Sequence, residues 1–282
     1  MQIFKTFFAL RQELEKEEGP IGFVPTMGAL HAGHLTLIGR AVQENEHAVV
    51  SIFVNPTQFN DPNDLDNYPR RLEQDLEALS SIEENLSVII PSVQEVYGDD
   101  PQVESYDLGI LSRVMEGQMR PGHFQGVATV VEKLLQAVQP HRAYFGEKDF
   151  QQYKVIERLV ELKEISVELI QCPVEREEHG LARSSRNELL SPEGRKNAGQ
   201  IYRLLQALKS DFYSQQYSYI DLKDKAQLQF SKIPNSNLEY FVIASSDSLT
   251  EIQSINDAHQ PRAFVAIQVE KIRLIDTMDY QE

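Results

Sequence analysis

Short apolar runs at residues 21–24, 48–54, 87–90, 143–145 and 167–172 alternate with stretches of helical spacing at 35–45, 70–80, 127–139 and 150–162. Continuous apolar runs of this length suit strands covered on both faces. Their alternation with amphipathic helices predicts an α/β domain, a Rossmann-like parallel sheet between layers of helix. Pro25 is expected to end the first strand, because proline cannot donate to a sheet ladder. After about residue 174 the pattern changes. A charged stretch at 175–180 leads to Arg183-Ser184-Ser185-Arg186-Asn187, then to helical segments at 192–211 and 220–231 and strands at 238–244 and 263–269. This reads as a smaller α+β C-terminal domain, so the expected division is 1–175 and 176–282. With no internal repeat, low-complexity tract or long linker, the two domains are expected to face one another across a cleft, where small ligands commonly bind.

Composition limits the partners. Across 282 residues, 27 Lys and Arg against 43 Asp and Glu leave a net charge of −16, which opposes long polyanions such as nucleic acid. Small anions remain compatible, since a glycine turn and a few cations hold them whatever the global charge. The N-terminal residues lack a signal-peptide pattern and no apolar run approaches a span of about 20 residues, so a cytoplasmic protein with no membrane partner is expected. The single cysteine, Cys172, excludes an internal disulfide and a cysteine-rich metal site. It lies in a strand-like run without an adjacent base, so it is expected to be a buried strand residue rather than a catalytic thiol.

The most informative segment is Pro25-Thr26-Met27-Gly28-Ala29-Leu30-His31-Ala32-Gly33-His34, where a strand hands over to a helix. Unpaired N–H groups and the positive end of the helix dipole make such a junction a seat for phosphates. Gly28 and Gly33 are expected to adopt backbone conformations closed to other residues and to let an anion approach. Their spacing imitates a P-loop, yet His34-Leu35 stands where that motif needs Lys and Ser or Thr. Imidazole can donate to a phosphate oxygen while neutral or carry a charge. Two histidines at i, i+3 with no third ligand nearby make a poor zinc site.

Two further strand ends repeat this layout. Asn55 and Gln58 follow the run at 48–54, where neutral amides can bind a carboxylate or hydroxyl; the alternative is an Asn-Pro turn capping the strand. Gly146-Glu147-Lys148-Asp149 follows the run at 143–145. There Lys148 can meet triphosphate charge or be solvated, Asp149 can cap the next helix, and Gln152 is expected to project toward the same cleft. Arg120-Pro121-Gly122-His123-Phe124-Gln125-Gly126-Val127 opens a helix whose Val127, Val130 and Val131 either pack in the core or line a site for a branched apolar substrate. The loop at 183–187 is either a solvated polar loop or a phosphate clamp.

The tetrad His31-Ala32-Gly33-His34 resembles the HIGH-type signature of nucleotidyltransferases, and Ser184 to Asn187 resembles their KMSKS-type loop. Together with the blocks at 25–34, 51–59, 120–127 and 146–152, in this order, the chain resembles the pantothenate synthetase family; Arg273-Leu274-Ile275-Asp276 resembles that family's closing segment. The resemblance implies ATP-dependent condensation of D-pantoate with β-alanine through a pantoyl adenylate, releasing AMP and pyrophosphate. It implies that the N-terminal domain binds ATP and pantoate and that the C-terminal domain is a lid carrying the 184–187 loop. His34, His31, Lys148 and Arg186 would be catalytic. ATP would be held by Met27, Gly28, Ala29, Leu30, His31, Ala32, Gly33, His34, Gly146, Glu147, Lys148, Asp149, Arg183, Ser184, Ser185 and Arg186, with Asp149 on the ribose. Gln58, Gln152 and Asn55 would hold pantoate, with Phe145, Val127 and Val131 against its methyl groups. Mg²⁺ would accompany ATP mainly on phosphate oxygens, with Asp75 as a candidate ligand; the alternative for Asp75 is an exposed helix carboxylate. A homodimer is implied as well. Arg183 departs from the family pattern, which has an apolar or variable residue there.

Two other readings stay open on the sequence. One is a different nucleotidyltransferase or a tRNA-synthetase fragment, against which the missing basic surface argues. The other is a catalytically silent nucleotide-binding regulator, against which His31, His34, Lys148 and Arg186 argue.

Overall fold

The structure is a computed structural model that describes residues 1–82, 85–214, 216–257 and 259–281. The chain forms two compact units, one of Met1–Glu147 with Gln151–Pro173, the other of Lys148–Phe150 with the chain from Val174 onward.

In chain order the first unit contains β1 (Gln2–Phe4), α1 (Phe7–Leu14), β2 (Ile21–Thr26), α2 (Ala32–Glu44), β3 (His47–Ile52), α3 (Pro62–Asp66), α4 (Leu72–Ser80) and β4 (Leu86–Ile89). It continues with α5 (Val93–Tyr97), α6 (Met115–Met119), α7 (His123–Val138), β5 (Arg142–Gly146), α8 (Phe150–Leu162) and β6 (Glu168–Cys172). The strands make one six-stranded sheet in the order β1-β4-β3-β2-β5-β6, parallel at every pairing. All six residues of β3 are buried, which is why its sequence reads as an apolar run rather than an alternation. Cys172 lies buried in β6, where burial pushes its thiol pKa up.

The strand order reverses at β2. From β2 the chain winds through β3 to β4 on one side, then returns through β5 to β6 on the other, so β2 and β5 flank the switch point where α/β sheets bind ligands. Pro25 does not end β2, as expected from the sequence, but pairs inside it with Ser51 of β3. The other side of β2 tolerates the missing N–H because its ladder with β5 holds only Gly22–Arg142 and Phe23–Ala143. Beyond Phe23 the two ladders part, and a proline there breaks no pairing to β5.

The second unit contains α9 (Pro192–Ala198), α10 (Gln200–Tyr213), α11 (Tyr219–Phe230), β7 (Ser236–Ser245), β8 (Pro261–Val269) and β9 (Ile272–Asp279). The three strands form an antiparallel sheet around a core that includes Leu205, Leu222, Phe230, Val265 and Tyr280. The helix expected over 192–211 is two helices. They break at Gly199, where a Cβ would come within 2.2 Å of the His179 ring. Strand β9 was not anticipated as a strand. It joins β8 through Glu270 and Lys271, both left-handed with φ of 52° and 73°, a two-residue reversal that usually advertises itself with Asn or Gly. Lys148–Phe150 group with this unit because the Phe150 ring packs on Phe264, with the Arg262 guanidinium 4.1 Å from its centroid. Among the described residues no helix is long and apolar enough to cross a membrane.

Candidate active site

Three loops leave the carboxyl ends of three neighbouring strands, β3, β2 and β5. The loop after β2 is shaped from beneath by α4. Gly28 has φ of +77° and a Cβ there would come within 3.0 Å of Asp75 Oδ2, while Ala29 follows at φ of +50°. Asp75 is buried at 3% exposure and accepts from the backbone N–H of Ala29 at 2.9 Å and of Leu30 at 2.7 Å. Gly28 N–H donates to Thr26 Oγ1.

Three expectations change here. Asp75 is not an exposed helix carboxylate, and both of its oxygens are engaged in holding the loop. Gly33 lies within helix α2, so the left-handed residues are Gly28 and Ala29 instead. Ala29 and Leu30 turn toward Asp75, and the His34 N–H faces the His31 side chain in a capping box, so the helix-start amides offered to an anion are those of Ala32 and Gly33.

His31 is the N-cap of α2 and its ring stacks on that of His34, centroids 4.0 Å apart. His34 Nδ1 accepts a long hydrogen bond, 3.4 Å, from the His31 backbone N–H. In the neutral ring this leaves the proton on Nε2, a donor.

The loop after β3 is held more tightly. Asn55 is 1% exposed, and its Oδ1 accepts from Thr57 N–H, so the Asn-Pro capping turn is present. The same side chain does more than cap: its Nδ2 donates to Gly126 C=O at 3.2 Å and to Gln58 Oε1 at 3.0 Å. Gln58 Nε2 then meets Met27 Sδ at 3.1 Å, which joins the amide pair to the loop after β2. The N-terminus of α7 closes on the backbone of this segment. A Cβ at Gly126 would lie 2.4 Å from Thr57 O, and His123 Nδ1 is 2.8 Å from Gln58 O. A carbonyl only accepts, so His123 Nδ1 carries the proton and neutral Nε2 faces Arg120 Nη1 at 3.0 Å. The segment 120–127 thus clamps residues 55–58. Val127, Val130 and Val131 are buried.

After β5, Gly146 ends the strand and Glu147–Asp149 form a 3₁₀ turn running into α8. Phe145 is buried against Tyr153, and Gln152 sits half-buried in the first turn of α8. Lys148 is largely buried rather than solvated, with its Nζ 3.5 Å from Asp149 Oδ1.

In the second unit Ser184 caps a 3₁₀ turn, Ser185–Leu189, by accepting from Arg186 N–H. Asn187 is 2% exposed and donates to Ala182 O and Glu177 Oε1, while Arg195 grips Glu177 through Nε and Nη2, each at 2.9 Å. Burial alone would raise the Glu177 carboxyl pKa, but the hydrogen bonds from Arg195 and Asn187 outweigh it and hold it below the usual range. The loop bearing Arg186 is therefore anchored, not a loose polar loop. Arg183, beside Ser184, has its Nε buried without a hydrogen-bond partner among the described residues. Arg176 pairs with buried Asp276 at 2.6 and 2.9 Å and lies over the Tyr202 ring.

Among the described residues no group of three His, Cys, Asp or Glu is placed to hold a metal ion. Sequence reading missed Tyr97, whose hydroxyl donates to Asn55 Oδ1 at 2.6 Å, and the roles of His123 and Gly126. The Arg-Pro-Gly-His-Phe-Gln-Gly run was the signal for the latter two. A lone tyrosine 42 residues from its partner leaves no local signal.

Residues 2–279 match the family model described as pantoate-beta-alanine ligase. Pantothenate synthetase of Christiangramia forsetii is 43% identical over 99% of both chains, and that of Bacteroides fragilis 42% over 100% of both. The crystal structure of pantothenate synthetase from Thermus thermophilus superposes with a TM-score of 0.91 at 40% identity, covering 100% of each chain. Pantoate-beta-alanine ligase from Francisella tularensis, solved in complex with beta-gamma ATP and beta-alanine, gives 0.81 at 35% identity over 100% of this chain and 98% of its own. A family match over nearly the whole chain, on a fold that agrees from end to end, means that the chain belongs to the pantoate-β-alanine ligase family.

Proposed function

We propose that the enzyme joins D-pantoate to β-alanine in two steps, with ATP as the activating substrate. A carboxylate resists an amine at neutral pH because oxide is a poor leaving group. In the first step a pantoate carboxylate oxygen attacks the α-phosphorus of ATP, the bond to the bridging oxygen of the β-phosphate breaks, and pyrophosphate leaves. In the second, the unprotonated β-alanine amine attacks the acyl carbon of the pantoyl adenylate, AMP departs with the activating oxygen, and the amide nitrogen loses a proton.

The observation that supports this reading is the contact of Gln58 Nε2 with Met27 Sδ, which sets the Gln58 amide against the glycine turn after β2, as a carboxylate site beside a phosphate site requires. Nucleophile and phosphorus held on adjoining loops make the attack effectively intramolecular, and effective molarities reach roughly 10⁵ M or more. Gln58 and Gln152 bind pantoate, Asn55 orients Gln58, and Phe145, Val127 and Val131 pack its methyl groups. His34 donates from Nε2 to the phosphates with His31 beside it, and the Ala32 and Gly33 amides add the helix-terminal field. Lys148 and Arg186 meet the charge that develops on departing pyrophosphate, with Arg183, Ser184 and Ser185 beside them. Gly146, Glu147 and Asp149 contact the nucleoside, Asp149 at the ribose.

Mg²⁺, if it accompanies ATP, would neutralise phosphate charge and would take most of its ligands from ATP rather than from the protein. Asp75, the candidate protein ligand, already accepts one backbone N–H on each oxygen, from Ala29 and Leu30, and among the described residues it belongs to no group of three His, Cys, Asp or Glu placed to hold a metal. The enzyme is proposed to work in the cytoplasm as a homodimer, which light scattering on the purified protein checks. ATP–pyrophosphate exchange tests the chemistry. Exchange is expected with pantoate and not with a panel of amino acids; exchange with an amino acid but not with pantoate overturns the reading.

A further inference from the structure

The amide of Gln58 has one polarity available to it, and the reason lies outside the site. Asn55 is held at both ends by backbone groups of fixed character. Thr57 N–H can only donate, so the atom facing it is Oδ1; Gly126 C=O can only accept, so the atom facing it is Nδ2. The same Nδ2 lies 3.0 Å from Gln58, which must therefore answer with its oxygen. That leaves Gln58 Nε2, with two hydrogens, turned toward Met27, whose thioether is a weak acceptor that a substrate oxygen displaces.

Tyr97 stands behind this chain of dependence at the C-terminus of α5. Its hydroxyl donates to Asn55 Oδ1 at 2.6 Å and lies 3.0 Å from Thr57 Oγ1. Thr57 Oγ1 also donates to Asn55 Oδ1 at 3.0 Å, so that oxygen gathers the Thr57 N–H, the Thr57 hydroxyl and, at the shortest distance, the Tyr97 hydroxyl. Burial raises the Tyr97 phenol pKa, against its hydrogen bonds with Thr57 and Asn55, so it stays a donor across the working pH range. The ring is fixed as well, with Phe53 at 6.4 Å between centroids and Lys133 Nζ over its face at 5.7 Å.

We propose that Tyr97 is a positioning residue whose hydrogen bond to Asn55 locks Gln58 with its NH₂ group toward the substrate. The site thereby selects an acceptor, a carboxylate or hydroxyl oxygen, at that point. This rests on the assignment of Gln58 to pantoate. Two substitutions separate polarity from simple packing. Tyr97→Phe keeps the ring and removes the donor. Asn55→Asp replaces the Nδ2 donor with an acceptor, so Gln58 must turn its NH₂ inward and present oxygen to the substrate.

The test measures AMP formation by the full-length enzyme with each substrate varied in turn, and melting temperature as a control. Tyr97→Phe should raise KM for pantoate by a factor of about 3 to 10, the worth of one such hydrogen bond, with KM for ATP and for β-alanine within about twofold. Asn55→Asp should raise KM for pantoate more than Tyr97→Phe does, because it inverts the donor instead of loosening it. An unchanged pantoate KM in Tyr97→Phe overturns the proposal. So does an equal rise in all three KM values, or a fall in kcat alone. Absence of pantoate-dependent AMP formation in the wild-type enzyme would refute the assigned reaction, a result distinct from any of these.

Discussion

Replacing Asp75 by Asn tests what builds the nucleotide loop. The carboxylate sits at 3% exposure and takes one backbone N–H on each oxygen, at 2.9 and 2.7 Å. These bonds hold Ala29 at φ of +50°, a conformation costly for any residue with a Cβ. In Asp75→Asn one oxygen survives and the other position becomes NH₂, a donor facing a backbone donor. Losing one hydrogen bond to a charged acceptor costs about 1.5–3 kcal/mol. At about 1.4 kcal/mol per tenfold, that is a fall of roughly 10- to 150-fold if the loss is expressed in ATP binding and activation. The assay is initial-rate AMP formation with ATP varied at saturating pantoate and β-alanine, repeated over a range of Mg²⁺ concentrations. kcat/KM for ATP should fall by that factor at every Mg²⁺ concentration, with KM for β-alanine little changed. Unchanged kcat/KM for ATP would refute the loop-anchor role. Recovery of activity at high Mg²⁺ would refute it too, by making Asp75 a metal ligand.

Other outcomes follow from the same geometry. His34→Ala should lower pantoyl-adenylate formation by about 100- to 1000-fold, the usual loss for one preorganised donor at developing charge, while the melting temperature stays near wild type; near-normal adenylate formation in the purified variant would remove His34 from the chemistry. Glu177→Gln should destabilise the second unit by about 1–2 kcal/mol at neutral pH and slow turnover through the Arg186 loop. Because the folded Glu177 carboxyl lies below its ordinary value of 4.5, its contribution is present above that value and is lost as pH falls through the folded one. The stability gap between wild type and variant, followed by thermal melts across pH, should therefore close in acid; a gap that widens there contradicts the assignment.

What the sequence disclosed was local. Apolar runs and helical spacing identified the four inner strands of the sheet, the edge strand β6 and the helices between them, because strands buried on both faces and amphipathic helices print their periods directly. The α/β fold class was read correctly. The short edge strand β1 was not seen, being three residues of which two are exposed. Strand β9 was hidden by a reversal built from Glu270 and Lys271 instead of Gly or Asn. Pro25 misled because its effect depends on how far β5 runs alongside β2, a property of the partner and not of the proline. The positions of the three strand-end loops were legible as motifs. Their supports were not: Asp75 lies 46 residues from Ala29, Tyr97 42 from Asn55, and His123 65 from Gln58. Contacts across such separations leave no period and no spacing to read.

In the proposed first step the pantoate carboxylate oxygen becomes bonded to the α-phosphorus of ATP. This step is tested most directly with pantoate labelled with heavy oxygen in its carboxylate, incubated with ATP and β-alanine and followed by mass spectrometry of the products. One labelled oxygen is expected in AMP and none in pyrophosphate. Label absent from AMP, with pantothenate formed normally, would contradict the claim.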